Sequence, residues 1–250
     1  MNSNVCSVSD KVTLGDTVSF NLDFEEDNGN IVPSKMNLNI IYEDDYYIVI
    51  NKPAGLPVHP SILHYENSLS NGVKYYFDEL GLKKKIRPVN RLDKDTSGIV
   101  IFAKNEYIQE CLIKQMNKKI FGKEYIAVCE GIFEKRSGTI NEPISRKENS
   151  IIERCVSQSG DASITHYYVL KTNFDNSVVK LHLETGRTHQ IRVHLSYIGH
   201  PIVGDTLYGK ASKKITRQAL HALKVSFIHP ISKKEVFYIA PIPDDMKCLL

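Results

Sequence analysis

An α+β fold built on a mixed, largely antiparallel sheet is what this sequence predicts. Three observations carry the expectation. Strand-type apolar runs outnumber helical ones, the helical segments are intermittent without the strict alternation of a parallel βαβ sheet, and Pro and Gly close the runs with turns. At 250 residues, with 42% hydrophobic and 24% charged residues, the chain can bury one large core or two moderate ones.

Residues 1–34 read as a short N-terminal β segment. Val12 and Leu14 precede a Gly15-Asp16 turn, Val18, Phe20, Leu22 and Phe24 alternate, and the acidic stretch from Glu25 to Asn30 breaks the pattern. This is too short to be stable alone, which places a boundary near Pro33 and a single larger domain over 35–250. In that domain Tyr46 to Ile50 is a buried-type strand, closed by the turn Asn51-Lys52-Pro53-Ala54-Gly55. Ser68 to Leu80 sets Leu69, Val73, Tyr76 or Phe77, and Leu80 at helical spacing, with Gly81 as the stop. Ile99 to Ala103 is a second apolar strand, after which Asn105 can cap a helix to about Lys118 whose apolar side is Ile108, Cys111, Leu112 and Met116. Strands follow at 124–130, 163–171, 178–184 and 235–240. Between the last two, a helix from about Thr188 turns Ile191, Leu195 and Ile198 to the core.

Composition excludes several classes. Cys6, Cys111, Cys129, Cys155 and Cys248 are odd in number and form no C-x-x-C pair, against a disulfide framework or zinc knuckle and in favour of a reducing compartment. No leader pattern opens the chain and no run approaches the ~18 apolar residues of a membrane span, so a cytoplasmic protein without membrane contact is expected. A net charge of +3 permits nucleic-acid binding without arguing for it. Three local clusters could be gathered by a fold around one groove: Lys83-Lys84-Lys85 with Arg87; Lys118, Lys119 and Lys123; Lys213, Lys214 and Arg217.

The chemistry concentrates in two segments. In Arg91-Leu92-Asp93-Lys94-Asp95-Thr96-Ser97-Gly98, a lone Asp before such a turn is commonly a cap, and Asp95 fits that role. Asp93 has different company. Arg91 points to the same side if the segment is extended, and Gly98 lets another backbone or a ligand come close. In Gly186-Arg187-Thr188-His189-Gln190-Ile191-Arg192, His189, Arg192 and Ser196 form a stripe beside the core face of the helix. A half-buried Arg192 needs an acid or a phosphate. Glu184 or another structural acid is one choice; Asp93, gripped bidentately and kept anionic at neutral pH, is the functional one.

Other signals are weaker. His182, His189, His194 and His200 share no i, i+4 face and no completing ligand, so no metal is expected, and structural or phosphate-contacting roles are preferred. Gly199 to Gly209 lacks the nucleotide-loop spacings. Tyr125 alternates with Ala127 and Cys129 on one strand face, a pattern of core packing that also allows stacking on a base.

At these residues the chain closely resembles the RluA family of RNA pseudouridine synthases. The matching stretches are Ile41 to Asp44, Asn51 to Leu56, Arg91 to Gly98, Lys123 to Tyr125, Gly186 to Leu195, Gly199 to Gly209, and Leu220 to Ala222, in family order over roughly 39–240. The resemblance implies the pseudouridine synthase fold, with a catalytic cleft across the sheet. It implies isomerisation of specific uridines in structured ribosomal or transfer RNA, without cofactor or metal. Asp93 would be the essential carboxylate, acting on the ribose as nucleophile or as base. Arg192 would pair with it, Tyr125 would stack on the flipped base, and Arg91 would help fill the space the base leaves. Asn90, Arg187, His189 and Lys123 are expected to contact RNA, with the protein acting as a monomer. Asn90 replaces the His usual before Arg-Leu-Asp, and residues 1–32 resemble only the closing strands of a ribosomal-protein-like RNA-binding domain. The rivals are an RNA-binding protein or chaperone of the same fold without turnover, and a glycoside hydrolase using Asp95 as second carboxylate.

Overall fold

The computed structural model describes residues 1–21, 24–26, 29, 31–61 and 64–250. Its elements are β1 (Ile40–Glu43), β2 (Tyr47–Lys52), α1 (Leu69–Glu79), β3 (Arg87–Pro88), β4 (Ser97–Ala103), α2 (Glu106–Asn117), β5 (Gly122–Glu130), β6 (Ser137–Asn141), β7 (Ile144–Arg146), β8 (Arg154–Val156), β9 (Ile164–Asn173), β10 (Asn176–Leu183), α3 (Gln190–Tyr197), β11 (Leu220–Ile228), β12 (Glu235–Ile239) and α4 (Asp244–Lys247). Ten strands form one sheet in the order β1-β2-β4-β11-β5-β10-β9-β6, with β12 beside β11 and β3 beside β4; β7 and β8 pair separately. Pairing is antiparallel except between β4 and β11. The expected mixed, largely antiparallel sheet is thus present.

The two faces of β2 and β4 part by strand alternation. Tyr47, Val49, Ile99 and Ile101 pack with Ile108 and Leu112 of α2, while Ile48, Ile50, Val100 and Phe102 pack with Leu69, Val73 and Phe77 of α1. A third cluster joins β5 and β10 to Ile191 and Leu195 of α3. Local signals explain the helix starts: Ser68 and Asn71 complete a capping box, and the Asn105 side chain accepts the Ile108 N–H at 2.9 Å.

One strand was not expected, and two expectations change here. Strand β11, central in the sheet, is interrupted in sequence by His221 and Lys224 and shows no apolar run of its own; its burial comes from neighbours on both sides. The described residues of 1–34 hold no strand, and Val18, Phe20 and Phe24 stay exposed because no partner strand lies beside them; Leu22 falls outside the described residues. Of the three basic clusters only the second, through Lys119 and Lys123, lines the cleft described below. Arg87 is gripped by Glu26 through two bonds of 2.6 Å, Lys83 pairs with Glu25, and Arg217 is held by Asp245. No helix among the described residues is long and apolar enough to cross a membrane.

Candidate active site

A cleft of about 790 Å³ opens between the loop before β4 and the start of α3, lined by Asp93, Arg192, Tyr125, Asn90, Arg91, Lys123, Arg187 and His189 among others. Every site residue expected from sequence therefore lies on one cleft. That volume suits a nucleoside-sized occupant.

Asp93 sits in the loop between β3 and β4, not on a strand, so Arg91 and Asp93 share the cleft by loop geometry instead of strand alternation. The turn that carries Asp93 is clamped from several sides. Its carbonyl accepts the Thr96 N–H at 3.1 Å; the Lys52 ammonium donates to Lys94 O at 2.8 Å; Arg217 donates to Asp95 O at 3.2 Å. Lys52 is fully buried and also donates to the carbonyls of Pro53 and Leu56, at 2.8 and 2.7 Å. Burial lowers its pKa to about 7, against the raising pull of Asp95 and Asp93. Asp95 does not cap: its carboxylate makes no hydrogen bond to the described residues and contributes charge beside Lys52. Behind the turn, Gly98 has φ +113°, and a Cβ there would lie 2.2 Å from Ala222 O, so glycine is what lets β4 and β11 pair in parallel. The close approach is by a backbone.

Arg192 does not hold Asp93 bidentately. Its Nε and Nη2 donate to the two oxygens of Asp205 at 2.7 and 2.8 Å, and only Nη1 reaches Asp93 Oδ2, at 3.1 Å. Both sequence readings are thereby satisfied by one guanidinium, with Asp205 as the structural acid. Glu184 is engaged elsewhere, with Lys119 and His166. Burial opposes the Arg192 charge, but Asp205 and Asp93 outweigh it and raise its pKa. The hydrogen bond to the Asp93 carboxylate goes to Oδ2, from Arg192, and His189 Nε2 lies 3.8 Å from the same oxygen. Oδ1 accepts no hydrogen bond from a described residue, and Asp93 lines the cleft.

The stripe His189, Arg192 and Ser196 converges on Tyr208. His189 Nδ1 lies 2.8 Å from its hydroxyl, the Arg192 guanidinium stands 5.0 Å from its ring centroid, and Ser196 donates to its carbonyl at 2.8 Å. Asp205 and Tyr208 come from the Gly199–Gly209 segment, which lacks nucleotide-loop spacing and is one of the stretches that carry the family resemblance, without a role for either residue being expected.

Tyr125 on β5 is 7% exposed and makes no hydrogen bond to the described residues. Burial, then the Asp93 charge, raises its pKa, so it stays a phenol at neutral pH. Lys123, on the same strand face, is half-buried with no ion pair or hydrogen bond to any described residue, and burial lowers its pKa. Arg187 stays exposed, 3.8 Å from Asp161. Asn90 differs from expectation: its amide is committed to β4, donating to Ile99 O and accepting Ile101 N–H, both at 2.9 Å, so it anchors the loop. His194 and His200 are structural, bonded to Thr165 and to Glu130 O at 2.9 Å each.

The mixed sheet thus carries an Asp–Arg pair beside a buried tyrosine in one cleft, and the class of RNA-modifying isomerases is given by the RNA pseudouridylate synthase family model, which matches residues 46–197. The chain belongs to that family, in its RluA branch, and is an RNA pseudouridine synthase. A Bacillus subtilis (strain 168) protein named as an uncharacterized RNA pseudouridine synthase is 43% identical over 95% of this chain and 79% of its own length. The ribosomal large subunit pseudouridine synthase D of Escherichia coli (strain K12) is 36% identical over 98% of this chain and 79% of its own. Among solved structures, human RNA pseudouridylate synthase domain containing 1 superposes with TM-score 0.68 at 28% identity, covering 82% of this chain and 83% of that one.

Proposed function

We propose that Asp93 is the reacting carboxylate, through Oδ1, in the isomerisation of a flipped uridine. The observation that carries this is the one-sided hydrogen bonding of Asp93 in the cleft: Arg192 donates to Oδ2, His189 Nε2 lies 3.8 Å from the same oxygen, and Oδ1 accepts no hydrogen bond from a described residue. The bond from N1 to carbon 1′ breaks, the uracil turns, and carbon 5 joins carbon 1′; N1 gains one proton as carbon 5 loses one. Asp93 acts on the ribose as nucleophile at carbon 1′ or as base toward a glycal. Tyr125 stacks on the base as a neutral phenol, and Arg91 helps fill the place the base vacates. Lys123, Arg187 and His189 face the RNA strand.

The substrate is a structured RNA with an unpaired uridine, because flipping costs least there. Ribosomal RNA is favoured over transfer RNA by the relatives named for the large ribosomal subunit. Action as a monomer in the cytoplasm goes with that reading. Residues 1–34 go with it as a segment resembling the end of a ribosomal-protein-like RNA-binding domain. Mapping pseudouridine by mass spectrometry in ribosomal RNA treated with wild type and Asp93→Asn is the test. Wild type is expected to modify discrete uridines and Asp93→Asn none; equal modification by both removes Asp93 from its role.

A further inference from the structure

We infer that His189 is a positioning residue for Asp93 and that Tyr208 locks it in a single tautomer, with the proton on Nε2. The inference rests on the reading of Asp93 as the reacting carboxylate and deepens it.

The argument starts at the Tyr208 hydroxyl. It accepts the backbone N–H of Arg154 at 2.8 Å, and it has one hydrogen of its own to give. Among the described residues, the acceptor within reach is His189 Nδ1, at 2.8 Å. Nδ1 is therefore an acceptor, and the neutral ring carries its proton on Nε2. Nε2 lies 3.8 Å from Asp93 Oδ2, so an N–H dipole faces the carboxylate. The opposite tautomer leaves the Tyr208 proton without an acceptor and sets a lone pair against an anionic oxygen. Two independent costs thus select the same form.

Helix capping does not account for this side chain. His189 occupies the N-cap position of α3 with φ +58°, in the left-handed region, yet its imidazole makes no cap hydrogen bond. The ring is turned instead between Tyr208 and Asp93, and its side chain is 13% exposed. The groups it meets are Asp93 from the loop before β4, Arg192 from α3, Asp205 and Tyr208 from the loop after α3, and Arg154 from β8. Burial, with Arg192 and Arg154, lowers its pKa against the pull of Asp93 and Asp205, which agrees with a neutral ring. At 3.8 Å the contact is longer than a hydrogen bond, and such contacts commonly tighten when substrate fills the site. With Nε2–H and Arg192 both on Oδ2, the carboxylate cannot rotate freely, and Oδ1 stays the oxygen that accepts no hydrogen bond from a described residue.

The test separates positioning from a backbone role. His189→Asn tolerates the left-handed φ and can accept from Tyr208, but it has no donor that reaches Asp93. His189→Gln presents a donor at the reach of Nε2. On ribosomal RNA from a strain lacking the protein, His189→Asn is expected to lose roughly 10- to 100-fold in kcat with KM within about threefold, and His189→Gln to keep most of kcat. Wild-type kcat in His189→Asn overturns the inference. Should His189→Gln fold poorly, the imidazole ¹⁵N spectrum decides without substrate: wild type is expected to show Nε2–H at His189, and Tyr208→Phe to release a mixture of tautomers. An Nδ1–H form in wild type overturns it equally. Asp93→Asn runs alongside. If it is inactive while His189→Asn matches wild type, only the His189 inference fails; if it matches wild type, the Asp93 reading fails.

Discussion

Arg192 gives two hydrogen bonds to Asp205 and one to Asp93, so the arginine beside Asp93 is itself anchored by a second, wholly buried acid. Two carboxylates share one guanidinium. The shared geometry fixes the direction of Nη1, and Asp93 receives a donor that cannot swing away. A lysine at this position could not serve both acids, since it lacks the planar fork.

Removing Asp205 is therefore expected to damage stability and turnover together. Asp205→Ala leaves Arg192 buried with a single partner, and breaking a buried pair in this way costs about 3–5 kcal/mol. For a chain of this size that corresponds to a fall in Tm of roughly 6–20 °C. Calorimetry and single-turnover kinetics on the same preparation would show it. A variant with unchanged Tm and rate would mean that Asp205 does not hold Arg192 in solution.

The sequence made Asp93 and Arg192 legible and left their support hidden, for physical reasons. Arg192 announced itself because helical spacing puts it beside Ile191 and Leu195, where a charge needs a partner. Asp205 and Tyr208 lie in a loop without periodicity, so no spacing rule points them at Arg192. Lys52 looked like part of a turn, although its burial and three carbonyl contacts make it the clamp under Lys94. Sheet order was equally hidden: β11 lies between β4 and β5 although over a hundred residues separate it from β4, and long-range pairing leaves no local trace.

Gly98→Ala is expected to be the most damaging single-methyl change near the site. A Cβ at Gly98 meets Ala222 O at 2.2 Å, N at 2.6 Å and C at 2.7 Å, all backbone atoms that cannot turn aside, and φ +113° strains any L side chain. Parting β4 from β11 would displace the Asp93 turn as well. Urea unfolding should show a loss of about 2–4 kcal/mol, and wild-type stability in this variant would contradict the register.

His221 should contribute to acid sensitivity. It is fully buried, with Ser97 Oγ 2.9 Å from Nδ1, and burial lowers its pKa to about 4, with Arg217 adding to the effect against Ala240 O and Asp245. In the unfolded chain the ring takes its proton near the ordinary histidine value of about 6.5. The unfolded state thus binds more protons between these limits. Stability from this group is full above pH ~6.5 and declines as pH falls toward about 4, by about 3 kcal/mol in all. His221→Gln should flatten Tm against pH across that window relative to wild type; an unchanged slope would remove His221 as the cause.

Tyr125 divides into ring and hydroxyl. The phenol is held protonated by burial and by the Asp93 charge, so it offers no ready base at neutral pH. Tyr125→Phe keeps the stacking face and is expected to hold RNA affinity near wild type, whereas Tyr125→Ala should weaken it by about 1–3 kcal/mol. A parallel loss of affinity in both variants, measured by filter binding to one RNA, would shift the role from ring to hydroxyl.

Lys123 supplies the sharpest electrostatic prediction. A half-buried ammonium that no described residue pairs is unfavourable in the free protein, and it faces the cleft where a phosphate would relieve it. Lys83, Arg87 and Arg217 already have acids of their own, so they should contribute less per charge. Lys123→Met is therefore expected to leave stability unchanged or raise it slightly, to weaken RNA binding across sequences, and to reduce the slope of log K against log salt by about one. Lys83→Met serves as the comparison and should leave the slope nearly unaltered. If the two variants lose the same slope, RNA passes over both positions alike, and the unpaired state of Lys123 has no bearing on where the backbone binds.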